Sequence, residues 1–136
     1  MQLTLIKNTD PAGAALYKLA RVIYAETCGT SLGEVECLAS MVMNLGAATG
    51  RDIADIAGDA DLFESLNPRS TRHEYLRVDA TNRAFQMCLR VVQKMARGML
   101  PDQVYGATRF HRVEMLPDWA VARGYIKETP NLMFYL

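Results

Sequence analysis

This chain has no long apolar run, its two charge signs cancel, and it holds only two histidines, three cysteines and one tryptophan. Each scarcity excludes something. Without a stretch of membrane-spanning length, insertion into a bilayer is not expected. Fifteen Lys and Arg balance fifteen Asp and Glu, which removes the electrostatic footprint of a nucleic-acid binder and suits a polymer of little or mixed charge. His73 and His111 have no partner at ligand spacing, so neither a metal nor another cofactor is expected. Cys28, Cys37 and Cys88 are an odd number without metal-ligand spacing, and each sits at or near an apolar helical position. They read as reduced core thiols rather than as a disulfide framework.

What is present is enough for one core. At 136 residues, half of them apolar, the chain reads as a single soluble domain spanning 1–136. A first helix is expected from Pro11 or Ala14 to Cys28, with Leu16, Leu19 and Ile23 on one stripe and Gly29 as the stop. A second opens at Ser31, where Glu34 three residues on completes a capping-box signature. Val35, Leu38, Val42 and Leu45 line its inner face, and Gly46 is expected to close it. Asp52 to Ala60 reads as a short helix with Ile53 and Ile56 inward. The mixed, periodless stretch from Asp61 to Leu76 reads as a long surface segment.

The longest helix is expected from Asp79 to Arg97, with Ala84, Phe85, Cys88, Leu89, Val92 and Met95 inward and Gly98 as its stop. Beyond Pro101 the period changes. Tyr105 to Arg112 and Leu132 to Leu136 read as strands that pair across the Pro117-Asp118-Trp119 turn. The expected fold is therefore α+β, mostly α, with a small antiparallel β-sheet on a helical core.

Glu26 is out of place in this pattern. It falls three residues beyond Ile23 and four beyond Val22, so its side chain leans over the buried face of the first helix. Burial and the negative end of the helix dipole both favour the uncharged acid there. A carboxylic acid held protonated near neutral pH is what a glycosidase uses to protonate a leaving sugar oxygen. Taken alone, a Glu at such a position is more often paired to an Arg or a backbone group than catalytic.

The surrounding residues narrow the choice. Ala20-Arg21-Val22-Ile23-Tyr24-Ala25-Glu26 with Gly29, then an apolar helix reaching Asn44, resembles the opening motif of the cell-wall hydrolases of the spore cortex-lytic type. Leu100-Pro101-Asp102 followed by Gly106-Ala107-Thr108-Arg109-Phe110-His111 resembles that family's central segment. Pro117-Asp118-Trp119 and Met133-Phe134-Tyr135 resemble its closing ones. The resemblance spans nearly the whole chain, in order and at similar spacing. It implies a lysozyme-like fold and cleavage of the bond between N-acetylmuramic acid and N-acetylglucosamine in peptidoglycan glycan strands, as a lytic transglycosylase or muramidase. By that resemblance a single catalytic Glu, here Glu26, acts as acid and then base.

The chain departs from the family pattern at Thr27-Cys28-Gly29-Thr30, where a second acid is lost. It departs again at Leu45 after Asn44 and at Met133, which bears on substrate preference. Candidate substrate-binding residues are Tyr24, Asn44, Thr108, Phe110, His111, Trp119 and Tyr135. Trp119 offers a face for a sugar, and Tyr24 and Tyr135 offer hydroxyls for a sugar or for Glu26. Asp61 and Glu64 read as ordinary solvated acids, although either would supply a second carboxylate to a hydrolase.

Two other activities fit parts of the sequence: a catalytically inactive peptidoglycan-binding domain, and a wall peptidase with Cys28 as nucleophile and His111 as base. The expected partner is the glycan strand, bound by a monomer. Met1 to Asp10 has no basic region followed by a long apolar stretch, so no secretion signal is expected. A protein made in the cytoplasm and acting on the wall then needs another route, as a phage- or prophage-type lysin has.

Overall fold

The computed structural model describes residues 11–136; the stretch read for a secretion signal lies outside the described residues. Four helices carry the chain: α1 (Pro11–Thr27), α2 (Leu32–Thr49), α3 (Ile53–Ala57) and α4 (Arg83–Ala96). Three strands follow: β1 (Arg109–Arg112), β2 (Lys127–Glu128) and β3 (Leu132–Tyr135). The fold is α+β and mostly α.

Helix α1 lies at the centre because its apolar stripe is complete on more than one side: Leu19, Val22, Ile23 and Ala25 are all buried. Leu38, Met41 and Val42 of α2 and Phe85, Cys88 and Val92 of α4 close around it. Burying each such large side chain stabilises the fold by about 1.5–3 kcal/mol, so these helices are held by packing rather than by propensity. Helix α1 ends in two successive left-handed residues, Cys28 at φ 55° and Gly29 at φ 60°. Gly29 is required there twice over, since a Cβ on it would lie 2.6 Å from the Ala84 methyl.

Helix α2 passes through Gly46 and stops at Gly50, which is left-handed at φ 74°. The expected stop at Gly46 is corrected by packing: a Cβ there would meet the Arg51 carbonyl at 3.3 Å and Ile56 at 3.7 Å. The glycine admits α3, not a turn. The capping box is only half formed. Ser31 accepts from the Glu34 N–H, but the Glu34 carboxylate turns away to the β2–β3 connection. There it accepts from the Thr129 hydroxyl, the Asn131 N–H (2.8 Å) and the Asn131 side chain (3.0 Å).

Helix α4 is shorter than expected and begins at the Asn82 cap, whose side chain accepts from the Phe85 N–H. The stretch from Asp61 to Leu76 holds two short 3-10 turns, Glu64–Leu66 and His73–Arg77, and it is not a surface segment throughout: Phe63 and Ser65 are fully buried.

Strands β1 and β3 pair antiparallel, with Phe110 opposite Phe134 and Arg112 opposite Leu132. The expected pairing across the Trp119 turn is therefore present. The two-residue β2 on the far edge of β3 is too short to carry an alternation in sequence. The turn before β1 is locked by Asp102, which accepts from the N–H groups of Val104 (2.9 Å) and Gly106 (2.7 Å). Burial pushes the Asp102 carboxyl up, but those hydrogen bonds and one from Asn44 outweigh it and hold it below the usual carboxylate range.

Candidate functional site

A trough runs between the end of α1, the segment around Asp61–Glu64, β1 and the Trp119 turn. Its deep part is a recess of about 70 Å³ lined by Glu26, Glu64, Phe110, His111, Arg112 and Trp119 among others. Next to it lies a wider cleft of about 340 Å³ with Arg51, Thr108 and Arg109 on its walls. Asp61, Leu62, Phe110 and Trp119 line both, so the two are one continuous depression. The volumes divide the labour. The recess has about a fifth of the cleft's volume and takes only small groups. The cleft lies within the roughly 300–1,000 Å³ range of ligand pockets.

Glu26 stands at the floor of the recess, 1% exposed. Both its oxygens are engaged: Oε1 accepts from Arg112 Nη1 at 2.6 Å and Oε2 from the Ser65 N–H at 2.9 Å. This is the pairing, to an Arg and to a backbone group, that a Glu at such a position more often has, and it removes the ground, burial without a counter-charge, on which the acid was expected to stay protonated. The negative end of α1 is offset as well, because Arg72 donates to the main-chain carbonyls of Ala25 (3.0 Å) and Glu26 (2.8 Å).

Arg112 is the hub. Its Nη2 donates to Glu64 at 2.6 Å and its Nε to Glu114 at 2.9 Å, so each of its three nitrogens serves a different carboxylate. Glu114 also lies 3.5 Å from Arg72. Burial pushes the Arg112 guanidinium down, and the bond to Glu64 and the charge of Glu26 more than reverse this, leaving it above its ordinary value. For Glu64, burial pushes the carboxyl up, but hydrogen bonds from Ser70 and Arg112 prevail and hold it below the usual range. Glu114 behaves alike, with burial outweighed by its own N–H and by Arg112. The reading of Glu64 as a solvated acid is corrected; Asp61 is exposed on the trough wall. A metal would need the centre of this carboxylate cluster, and the guanidinium fills it.

The candidate residues separate. Thr108, Phe110, His111 and Trp119 line the trough. Tyr24, Asn44 and Tyr135 do not line it. Tyr24 packs edge-on to Phe85 and accepts from the Asn82 side chain, bracing the start of α4. Asn44 donates to Asp102 (3.2 Å) and to the Ala107 carbonyl (3.1 Å), fastening the turn before β1 to α2. Tyr135 is buried behind His111, its hydroxyl 2.8 Å from Nε2. The other ring nitrogen, Nδ1, is 2.8 Å from the Arg112 carbonyl. A carbonyl only accepts, so Nδ1 carries hydrogen, and in the neutral ring Nε2 accepts from Tyr135.

His111 therefore has no nitrogen left to activate a thiol. Cys28 is half-buried in the left-handed turn after α1 and, among the described residues, lies off the trough, which removes the geometry a Cys28 peptidase needs. Cys37 and Cys88 are buried and unpaired, and burial pushes the Cys88 thiol up to about 12.

Sequence reasoning weighed Glu64 as a second carboxylate and missed Arg112, Ser65 and Arg72. Of these three only Arg112 left a signal. It stands two residues after Phe110 in a strand, hence on the same face. No known protein-family model, curated protein or solved structure matches the chain.

Proposed function

We propose that the trough binds a glycan strand of peptidoglycan and that Glu26 cleaves it at the bond between N-acetylmuramic acid and N-acetylglucosamine. One observation supports this above the others: a buried carboxylate ends α1 at the floor of a recess that opens into a cleft walled by Phe110, Trp119 and Thr108. The cleft has the volume of a ligand pocket, and the narrow recess beside it admits only small groups.

Three carboxylates, Glu26, Glu64 and Glu114, share two guanidiniums, Arg112 and Arg72, so the fully ionised cluster has one negative charge in excess. In this reading the proton used in the reaction is carried by Glu26, the carboxylate that lines the floor of the recess. Arg112 need not leave the site for this. It gives up the Nη1 bond to Glu26 and keeps Glu64 on Nη2 and Glu114 on Nε. Protonated Glu26 then donates to the glycosidic oxygen as the bond from the sugar's anomeric carbon to that oxygen breaks. The resulting carboxylate takes the proton of the sugar's own 6-hydroxyl, whose oxygen closes on the anomeric carbon as a 1,6-anhydro end. If water attacks in place of that hydroxyl, the product is a reducing end.

A second reading, a peptidoglycan-binding domain without catalysis, is favoured by the occupied state of both Glu26 oxygens. Incubating purified walls with the protein separates the two. Soluble fragments support cleavage, and an anhydro end weighs one water less than a reducing end. Wall binding with no soluble fragment at any pH supports the second reading and rejects the first.

A further inference from the structure

Two arginines line the wide part of the trough, and their situations differ. Arg51 is neutralised by Asp55 at 2.7 Å and Asp59 at 3.0 Å. Arg109 forms no salt bridge with a carboxylate among the described residues, and its guanidinium lies over the Trp119 ring, 4.1 Å from the centroid. Stacking there has two effects. It covers a face of Trp119 that a sugar would otherwise use, and the attraction to the ring keeps the fork of donors at the cleft wall. A second guanidinium, Arg123, lies 5.9 Å from the same ring and donates to the Leu136 oxygen at 3.1 Å. Asp59 and Asp61 share the cleft wall with Arg109, Asp59 being paired to Arg51, and among the described residues neither forms a salt bridge with Arg109.

A guanidinium held over an aromatic ring, half-buried and without a carboxylate partner among the described residues, suits a planar anion better than a neutral sugar, because its paired donors match the two oxygens of a carboxylate. The geometry points to a carboxylate subsite at Arg109, occupied by the lactyl carboxylate of a muramyl residue whose peptide has been removed, while Asp61 accepts from that sugar's hydroxyls. The subsite rests on the glycan reading above and adds a preference to it: strands whose muramyl carboxylates are free bind better than strands in which those groups are blocked as amides.

The test uses the disaccharide of N-acetylglucosamine linked to N-acetylmuramic acid. It contains the free lactyl carboxylate but not the bond to be cleaved, so the unaltered protein can be titrated at equilibrium. Binding is followed through the side-chain N–H signal of Trp119, the only tryptophan. The free acid is expected to bind at least about tenfold more tightly than the same disaccharide with its carboxylate converted to an amide, as befits one charge-assisted fork. Arg109→Gln should bind the two equally, and Arg109→Lys should keep part of the preference. Equal affinity of the wild type for acid and amide, or binding of neither at millimolar concentration, overturns the subsite. Fragment release from walls is measured separately, so a failed subsite leaves the cleavage reading standing, and the absence of fragments counts against cleavage alone.

Discussion

Arg112 and Glu26 meet 86 residues apart in sequence, through a 2.6 Å hydrogen bond in which both side chains are almost wholly buried. Truncating Arg112 to Ala leaves a buried carboxylate without its counter-charge. The expected loss of folding stability is about 3–5 kcal/mol, read from urea unfolding. Arg112→Lys should recover only part of it, because a single ammonium cannot serve Glu26, Glu64 and Glu114 in the guanidinium's fixed geometry.

Replacing Glu26 by Gln is not silent for folding either. A carboxylate accepts on both oxygens, whereas an amide has one acceptor, so either Arg112 or the Ser65 N–H is left facing a donor. A loss of about 1–3 kcal/mol is expected, and the variant's unfolding curve must accompany any activity assay.

Acid should weaken the fold through Glu64 and Glu114. Both carboxyls titrate lower in the folded protein than in the unfolded chain, so the stability they confer is fully present above the unfolded value of 4.5 and is lost as the pH falls through the folded values beneath it. A melting temperature recorded as pH is lowered should fall off below about 4.5, and Glu64→Gln should make that fall shallower. Both side chains are partly exposed, so the effect of each alone is modest.

Gly29→Ala tests the end of α1. The substitution forces a side chain into a left-handed residue at a cost of about 1–2 kcal/mol and sets its Cβ against Ala84. Pairing it with Ala84→Gly should relieve the clash with the methyl but leave the contact with the Ala84 carbonyl oxygen at 3.2 Å and the conformational part, which a double-mutant cycle in urea resolves.

Much of this architecture was legible in the chain. The apolar stripes of α1 and α4 are continuous enough to set their faces, and the changed period after Pro101 announced the sheet. Gly46 was misread because a glycine inside a helical pattern stands equally for a stop and for a close approach, and only the Arg51 carbonyl and Ile56, brought up by tertiary packing, decide which. Asn44 and Tyr24 were misplaced for a similar reason: their polar groups brace neighbouring turns rather than line the trough. Glu26 was found by its position on an apolar face. Its partners were not, because Ser65 lies in a segment without period and the distance from Glu26 to Arg112 along the chain hides the pair.

The most direct test digests purified peptidoglycan with the wild type and with folded Glu26→Gln and weighs the soluble fragments by mass spectrometry. The account predicts muramyl-terminated glycan fragments from the wild type, and none above background from the variant. Walls that bind the wild type yet release nothing, or equal release by both proteins, would contradict it.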